Sequence, residues 1–393
     1  MSAELPATVP WELPPLGLYV HMPWCVRKCP YCDFNSYQAP AGQLPEQAYI
    51  SALIADLEGD LSHVAGRRVE TIFFGGGTPS LFSPESLSVL LDGIRSRIDV
   101  APDVEITLEA NPGTIERGRF AGYWQAGINR VSLGAQTFSP SALQRLGRIH
   151  SPDDTHRAVG ELRQAGYDNY NLDLMYALPD QTLELAVFDL QQAIGLGSSH
   201  LSYYHLTLEV GTAFYHRPPP LPEDEVTALI ESQATQLLGS AGFERYEVSA
   251  WAKPGAACRH NLNYWRYGDY LGIGAGAHGK LSLPSSNAVI RTVKPRNPAT
   301  YVKALSLPGG IGQRQHIDLK DRPFEFMLNA TRLAAGFAPE MFERRTGVSW
   351  SVVAPVLARL QDRGLITVCA TLVQTTDLGW RFLNDVQEAF LVS

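Results

Sequence analysis

The chain has 393 residues, 45% of them hydrophobic and 18% charged, and 32 Lys plus Arg face 40 Asp plus Glu for a formal net charge of −8. Those proportions describe a folded globular chain with room for one large domain and a smaller one. The negative balance argues against a nucleic-acid partner. No apolar run reaches the roughly 20 residues that span a bilayer, so we expect a soluble cytoplasmic protein without an integral membrane segment.

Residues 1–16 are rich in proline and carry two glutamates and no basic residue. They fit neither a secretory signal nor a transit peptide and read as a loose leader. A first apolar strand over 17–21 runs into His21-Met-Pro-Trp-Cys-Val-Arg-Lys-Cys-Pro-Tyr-Cys-Asp-Phe34. Cys25, Cys29 and Cys32 form a C-x3-C-x2-C pattern with no fourth cysteine or histidine close behind. Three thiolates can hold three corners of a [4Fe–4S] cluster and leave the fourth iron open to an exchangeable ligand. Structural zinc, with His21 as a fourth ligand, is the alternative, although zinc prefers a closed tetrahedral set. Five cysteines in 393 residues is sparse usage that does not suggest a disulfide framework. Cys258 and Cys369 stand alone and read as small buried hydrophobes.

Further strands are expected over 70–74, 104–109, 130–133, 170–174 and 201–207. Between them, Ala48, Leu53, Ile54, Leu57, Leu61 and Val64 line one helical face, and Leu87, Leu90, Leu91, Ile94 and Ile98 line another. Ser151-Pro152-Asp153 opens a third helix with an N-cap and a proline at its first position. A fourth runs from 183 to 194. Apolar strands alternating with helices predict an α/β fold with a parallel sheet. Six such units are too few for an eight-stranded barrel, so an incomplete (β/α)6-type barrel is expected over 17–220. Ligands of such sheets sit at the carboxyl ends of the strands. The cysteine loop, Gly75–Gly77, Glu109-Ala-Asn111, Gln136 and Asp173 all fall there.

Arg217-Pro-Pro-Pro-Leu-Pro222 is a stiff, linker-like stretch. A barrel extension over 221–320 follows, with a helix over 223–238, a strand over 244–250, the aromatic run His260-Asn-Leu-Asn-Tyr-Trp265 and a glycine-rich segment carrying His278. Helices over 324–333, 339–346 and 351–363, a β-like 365–374 and a last helix over 377–390 give 321–393 the outline of a winged-helix module. With no basic recognition face, that module reads as structural or partner-binding.

The cysteine loop and Gly75–Gly77 after the second strand resemble the radical S-adenosylmethionine (SAM) superfamily. Phe74-Gly-Gly-Gly-Thr-Pro-Ser80, Glu109-Ala-Asn-Pro-Gly113, Gly134-Ala-Gln-Thr-Phe138, Leu146-Gly-Arg148 and Asp173-Leu-Met-Tyr-Ala-Leu-Pro179 are similar to blocks of its oxygen-independent coproporphyrinogen III oxidase family. The resemblance implies a [4Fe–4S] cluster on Cys25, Cys29 and Cys32, with SAM contacts at Tyr19, Tyr31, Gly76, Gly77, Thr78, Glu109, Gln136, Arg148 and Asp173. Carboxylates suit ribose hydroxyl donors, and a guanidinium suits a carboxylate.

That oxidase family has a further cysteine two positions after the third, where this chain has Phe34. The segment from Cys29 to Asn35 instead resembles the haem-chaperone branch, which lacks oxidase activity. The run from His260 to Trp265 resembles the HNxxYW-type element of that branch, implying haem contacts at His260, Tyr264 and Trp265. A core aromatic cluster with a hydrogen-bonded histidine is the alternative reading of those three residues, and His278 is a weaker second candidate. The resemblance implies a haem-accepting protein as partner, such as a respiratory enzyme, and a cluster-dependent homodimer. Two other readings stay open: a radical SAM oxidase decarboxylating propionates in porphyrin biosynthesis, and a non-catalytic metal scaffold.

Overall fold

Six parallel strands lie side by side in chain order: β1 (Leu16–Met22), β2 (Val69–Gly76), β3 (Val100–Ala110), β4 (Arg130–Gln136), β5 (Tyr170–Tyr176) and β6 (His200–His205). They are seen in a computed structural model that describes residues 9–40, 44–64, 66–113, 118–305 and 312–391. Parallel neighbours need a crossover between them, normally a helix. The crossovers carry α1 (Glu46–Asp60), α2 (Pro84–Arg95), α3 (Phe120–Ala126), α4 (Pro152–Gln164) and α5 (Leu183–Gly195). Local chemistry starts three of these helices: Ser83, Ser151 and Thr182 each accept a backbone N–H as N-cap, and Ser151 forms a capping box with Asp154. α3 has no counterpart among the expected helices. Its seven residues are too few for a periodic stripe.

The apolar strands are buried as expected. Every residue of β4 is buried, and Leu18, Val20, Ile72, Phe74, Leu108, Leu133 and Leu172 share one core with the helices. Burial on both faces explains why the strand sequences read as apolar runs without alternation.

The extension flanks both edges of the parallel strands. After α6 (Asp224–Ser240) come β7 (Glu244–Glu247) and β8 (Ala250–Ala252); β8 pairs antiparallel with β6, and β7 pairs antiparallel with β8 at the sheet edge. The single strand expected over 244–250 is therefore two, turning back between residues 247 and 250. Helix α7 (Arg259–Trp265) then carries the chain to the other edge, packing against β1 and β2. There β9 (Asp269–Ile273) pairs parallel with β1, followed by antiparallel β10 (His278–Leu283), β11 (Ala288–Val293) and β12 (Gln313–Ile317). All twelve strands form one sheet.

The C-terminal module has its own core around Phe326, Phe337, Phe342, Leu357 and Val386. It consists of α8 (Arg322–Ala330), α9 (Pro339–Thr346), α10 (Ala354–Asp362), the hairpin β13 (Ile366–Val368) and β14 (Val373–Thr375), then α11 (Asp377–Arg381) and α12 (Leu383–Glu388). The last expected helix is broken at Phe382, whose φ of −117° and ψ of 39° leave the helical region. Two expectations need correction. Residues 1–8 of the leader lie outside the described residues, but the rest is not loose. Val9 N–H donates to Gly347 O and Glu12 N–H to Arg344 O, and the Trp11 ring lies 5.2 Å from the Arg322 guanidinium. Cys369 is exposed at the hairpin turn, whereas Cys258 is buried.

Candidate functional site

The cysteine loop is closed at its base by a two-residue parallel ladder between Trp24–Cys25 and Tyr37–Gln38. Lys28 Nζ donates to Phe34 O at 3.0 Å, and Asn35 Nδ2 donates to Ala275 O and Arg296 O, each at 2.9 Å. Across the barrel, Phe214 N–H donates to Pro30 O and Tyr31 packs on Leu146, Met175 and Leu206. Cys25, Cys29 and Cys32 are thereby held half-buried on one wall of a cavity of about 550 Å³ at the carboxyl ends of the strands.

Tyr31, Gly76, Gly77, Thr78, Glu109, Gln136, Arg148 and Asp173 line the same cavity. The expectation of one mouth is met because in-register parallel pairing brings the strand ends together: Met22 faces Gly76, Ala110 faces Leu133, and Gln136 faces Leu174. Gly76 is required by space. A Cβ there would lie 2.4 Å from the His21 ring, and its φ of +110° disfavours any side chain. Gly147, at φ +70°, lets the Arg148 loop pass against Pro30 of the cysteine loop, where a Cβ would come within 2.8 Å of the ring.

Arg148 is partly buried and directed. Its guanidinium donates to Asn111 Oδ1, to Gly134 O at 2.8 Å, and to Cys29 Sγ at 3.8 Å. Asn111 Nδ2 in turn donates to Thr78 Oγ1 at 2.9 Å. Glu109 Oε2 accepts the Gly76 amide. Burial, and then the charge of Asp173, push its carboxyl up to about 8. Burial also raises Asp173, opposed by hydrogen bonds from Ser132 and Asn171 and by the charge of Arg130. Gln136 holds a left-handed φ of +66°, and Tyr204 donates to its Oε1 at 3.0 Å. Asn111, Ser132, Asn171 and Tyr204 were not among the expected site residues. Asn111 lies inside a block that matched, but nothing in sequence shows which side chain will reach Arg148.

Five expected residues, Tyr19, His21, His260, Tyr264 and His278, do not line this cavity. Tyr19 lies behind the cavity wall, with its hydroxyl bonded to His21 Nδ1 at 2.9 Å. His21 Nε2 is engaged by Asn35 O at 2.8 Å, so neither ring nitrogen is free for the zinc set in which it was the fourth ligand. His260 is 1% exposed, with Nδ1 on Thr71 Oγ1 at 2.8 Å and Nε2 on the Tyr264 hydroxyl at 2.9 Å. Both ring nitrogens are occupied, as the core-cluster alternative requires, and Phe73 stacks on the ring at 5.2 Å. Burial pushes the imidazole down to about 3. Tyr264 is on the same helix one turn on, bordering a second cavity of about 230 Å³, whereas Trp265 borders both cavities. His278 is exposed at the start of β10.

Three spaced thiols on one cavity wall are the donor set that a [4Fe–4S] cluster with one open iron would use. Among the described residues no three His, Cys, Asp or Glu side chains converge as a metal ion would need, and zinc demands sulfurs at about 2.3 Å. Three spaced thiols, an open cavity and the orphaned, buried Arg148 Nε leave room and an unpaired donor for a cuboidal cluster with an anionic ligand beside it. Among the described residues, no helix is long and apolar enough to cross a membrane.

Comparison with known proteins agrees with this geometry. Residues 19–190 match the radical SAM superfamily model and residues 317–382 the HemN C-terminal domain. The chain is 48% identical over 380 residues to the heme chaperone HemW of Escherichia coli, covering 97% of this chain and 99% of that one. It is also 48% identical over 384 residues to HemW of Haemophilus influenzae, with the same coverage. The structure of the coproporphyrinogen III oxidase HemN from Escherichia coli superposes with a TM-score of 0.80 over 96% of this chain and 90% of that one, at 22% identity. That likeness is one of fold. Near-complete coverage at 48% identity decides the family, and the chain belongs to the HemW heme chaperones of the radical SAM superfamily.

Proposed function

We propose that the protein is a haem chaperone that holds a [4Fe–4S] cluster and SAM and passes haem to an acceptor protein. The observation that carries this is full-length similarity to proteins named heme chaperones, in a chain whose three thiols share one cavity with a partly buried arginine and two carboxylates. Cys25, Cys29 and Cys32 would hold the cluster, leaving one iron open. When bound there and reduced, a cluster would supply the electron for reductive chemistry at the SAM sulfonium. Arg148, fixed by Asn111 and Gly134, presents a cation to an anionic group beside Cys29. Glu109 and Asp173 offer acceptors suited to the ribose hydroxyls of SAM. Phe34, 55% exposed next to the loop, supports the chaperone reading over the oxidase reading, because that position carries cysteine in the oxidases that the sequence resembles.

Anaerobic reconstitution followed by two assays on one sample tests this. The protein should shift the Soret band of haem and leave coproporphyrinogen III unchanged. Robust conversion to protoporphyrinogen IX would instead establish the oxidase.

A further inference from the structure

The C-terminal module reaches into the main cavity at one point. Leu333 forms an antiparallel bridge with Glu247 of β7, and Ala334 N–H donates to Tyr246 O at 3.0 Å. This stitching fixes Arg332 at the cavity wall, with its guanidinium over the Trp265 ring at 4.4 Å from the centroid. One amino group touches Glu247 Oε2 at 3.3 Å. Its Nε has no partner among the described residues although it is buried, and the indole Nε1 of Trp265 is likewise unpartnered.

An arginine carries five N–H donors in a planar fork suited to carboxylates. Here one contact of marginal length engages it, and Trp265 covers one face. The stack holds the guanidinium plane in place, so a carboxylate can dock without first ordering a long side chain. Burial raises the Glu247 carboxyl, opposed by the charge of Arg332 and by hydrogen bonds from Ser249 and Arg332. Ser249 and Asn261 line the wall beside it with neutral hydrogen-bonding groups.

We infer that Arg332 is the anchor for a carboxylate of the cargo, namely a propionate of a tetrapyrrole, presented by the C-terminal module and held in plane by Trp265. The class of cargo rests on the haem reading. The carboxylate site rests on a fork that Glu247 engages through one amino group and whose Nε has no partner among the described residues. Docking of the propionate transfers the guanidinium from Glu247 to the ligand and so links cargo binding to the seam between the module and β7.

The test titrates haem and haem dimethyl ester into cluster- and SAM-loaded protein, followed by the Soret band, for the parent chain and Arg332→Ala. Esterification removes the carboxylates and keeps the macrocycle and iron. The parent should bind haem at least tenfold more tightly than the ester, and Arg332→Ala should lose most of that preference while binding the ester as the parent does. An unchanged preference in the variant overturns the inference, whether its two affinities fall together, as loss of a purely structural contact would give, or stay the same. A parent chain that binds neither compound overturns the haem reading itself. If Arg332→Ala does not fold, Arg332→Gln keeps the length and polarity of the side chain and is read by the same ratio.

Discussion

Glu109 Oε2 accepts the backbone amide of Gly76 at 3.1 Å, tying the end of β3 to the glycine run that ends β2. One carboxyl oxygen is thus spent on shaping the cavity wall, while Glu109 also lines the cavity.

The Gly76 backbone should tolerate no side chain. Gly76→Ala places a Cβ 2.4 Å from the His21 ring at φ +110°. Backbone strain of that kind costs about 1–3 kcal/mol before the clash with the ring is counted. Urea unfolding of the cluster-free chain should show at least that loss, and a change below about 0.5 kcal/mol, the range of an ordinary surface substitution, would mean that the two strands part easily.

SAM affinity should rise with pH. Glu109 is raised to about 8 from its ordinary 4.5, chiefly by burial and then by Asp173. The folded chain therefore holds a proton that the unfolded chain has released. The stability this contributes is complete below the unfolded value and is lost as pH climbs through about 8. An ionised carboxylate is the stronger acceptor for ribose hydroxyls, so equilibrium dialysis should find tighter SAM binding at pH 9 than at pH 7. Glu109→Gln should flatten the dependence, and an equal slope in both proteins would assign it to another group.

Arg148→Lys should be far from conservative. Lysine cannot span Asn111 Oδ1 and Gly134 O while also facing Cys29 as the guanidinium does. Leaving a buried acceptor unpaired costs about 1–3 kcal/mol. We expect reconstituted Arg148→Lys to bind SAM at least tenfold more weakly while its iron content stays close to that of the parent. Parental SAM affinity would remove Arg148 from the site.

His260→Gln separates a strut from an iron ligand. Loss of the Thr71 and Tyr264 bonds should lower stability by about 1–3 kcal/mol. The sign of the pH effect follows from a depressed imidazole: stability is intact above the unfolded value of 6.5 and falls as pH drops toward about 3, because the unfolded chain takes up the proton first. Chemical unfolding between pH 7 and pH 4 should be less pH-sensitive in the variant. A parental Soret shift in the folded variant assigns His260 to the wall, whereas its loss assigns the iron to His260.

Much of this was legible in the chain itself. Strands such as Leu16–Met22 are buried on both faces and therefore read as nearly continuous apolar runs. Ser151 and Pro152 announce a helix start through an N-cap and a proline at the first position, near neighbours in the chain. The cysteines, Gly76, Glu109, Gln136 and Asp173 share a cavity because each lies in or just beyond a parallel strand, and sequential pairing carries those segments to one face. Local periodicity and spacing suffice for such features.

What lies between distant segments was decided only by folding. Thr71, 189 positions from His260, and Tyr264 meet its two ring nitrogens, a pairing that no spacing in the sequence shows. Asn111 became the partner of Arg148, and Arg332 of Trp265, through packing that no periodicity encodes. The residues from Trp11 to Glu12 ceased to read as leader once the C-terminal module offered Arg322 and Arg344. A spacing of three or four residues restricts which side chains share a loop or a helix face. Which donor meets which acceptor across a sheet depends on the register and packing of every strand between them, and that is a property of the assembled fold.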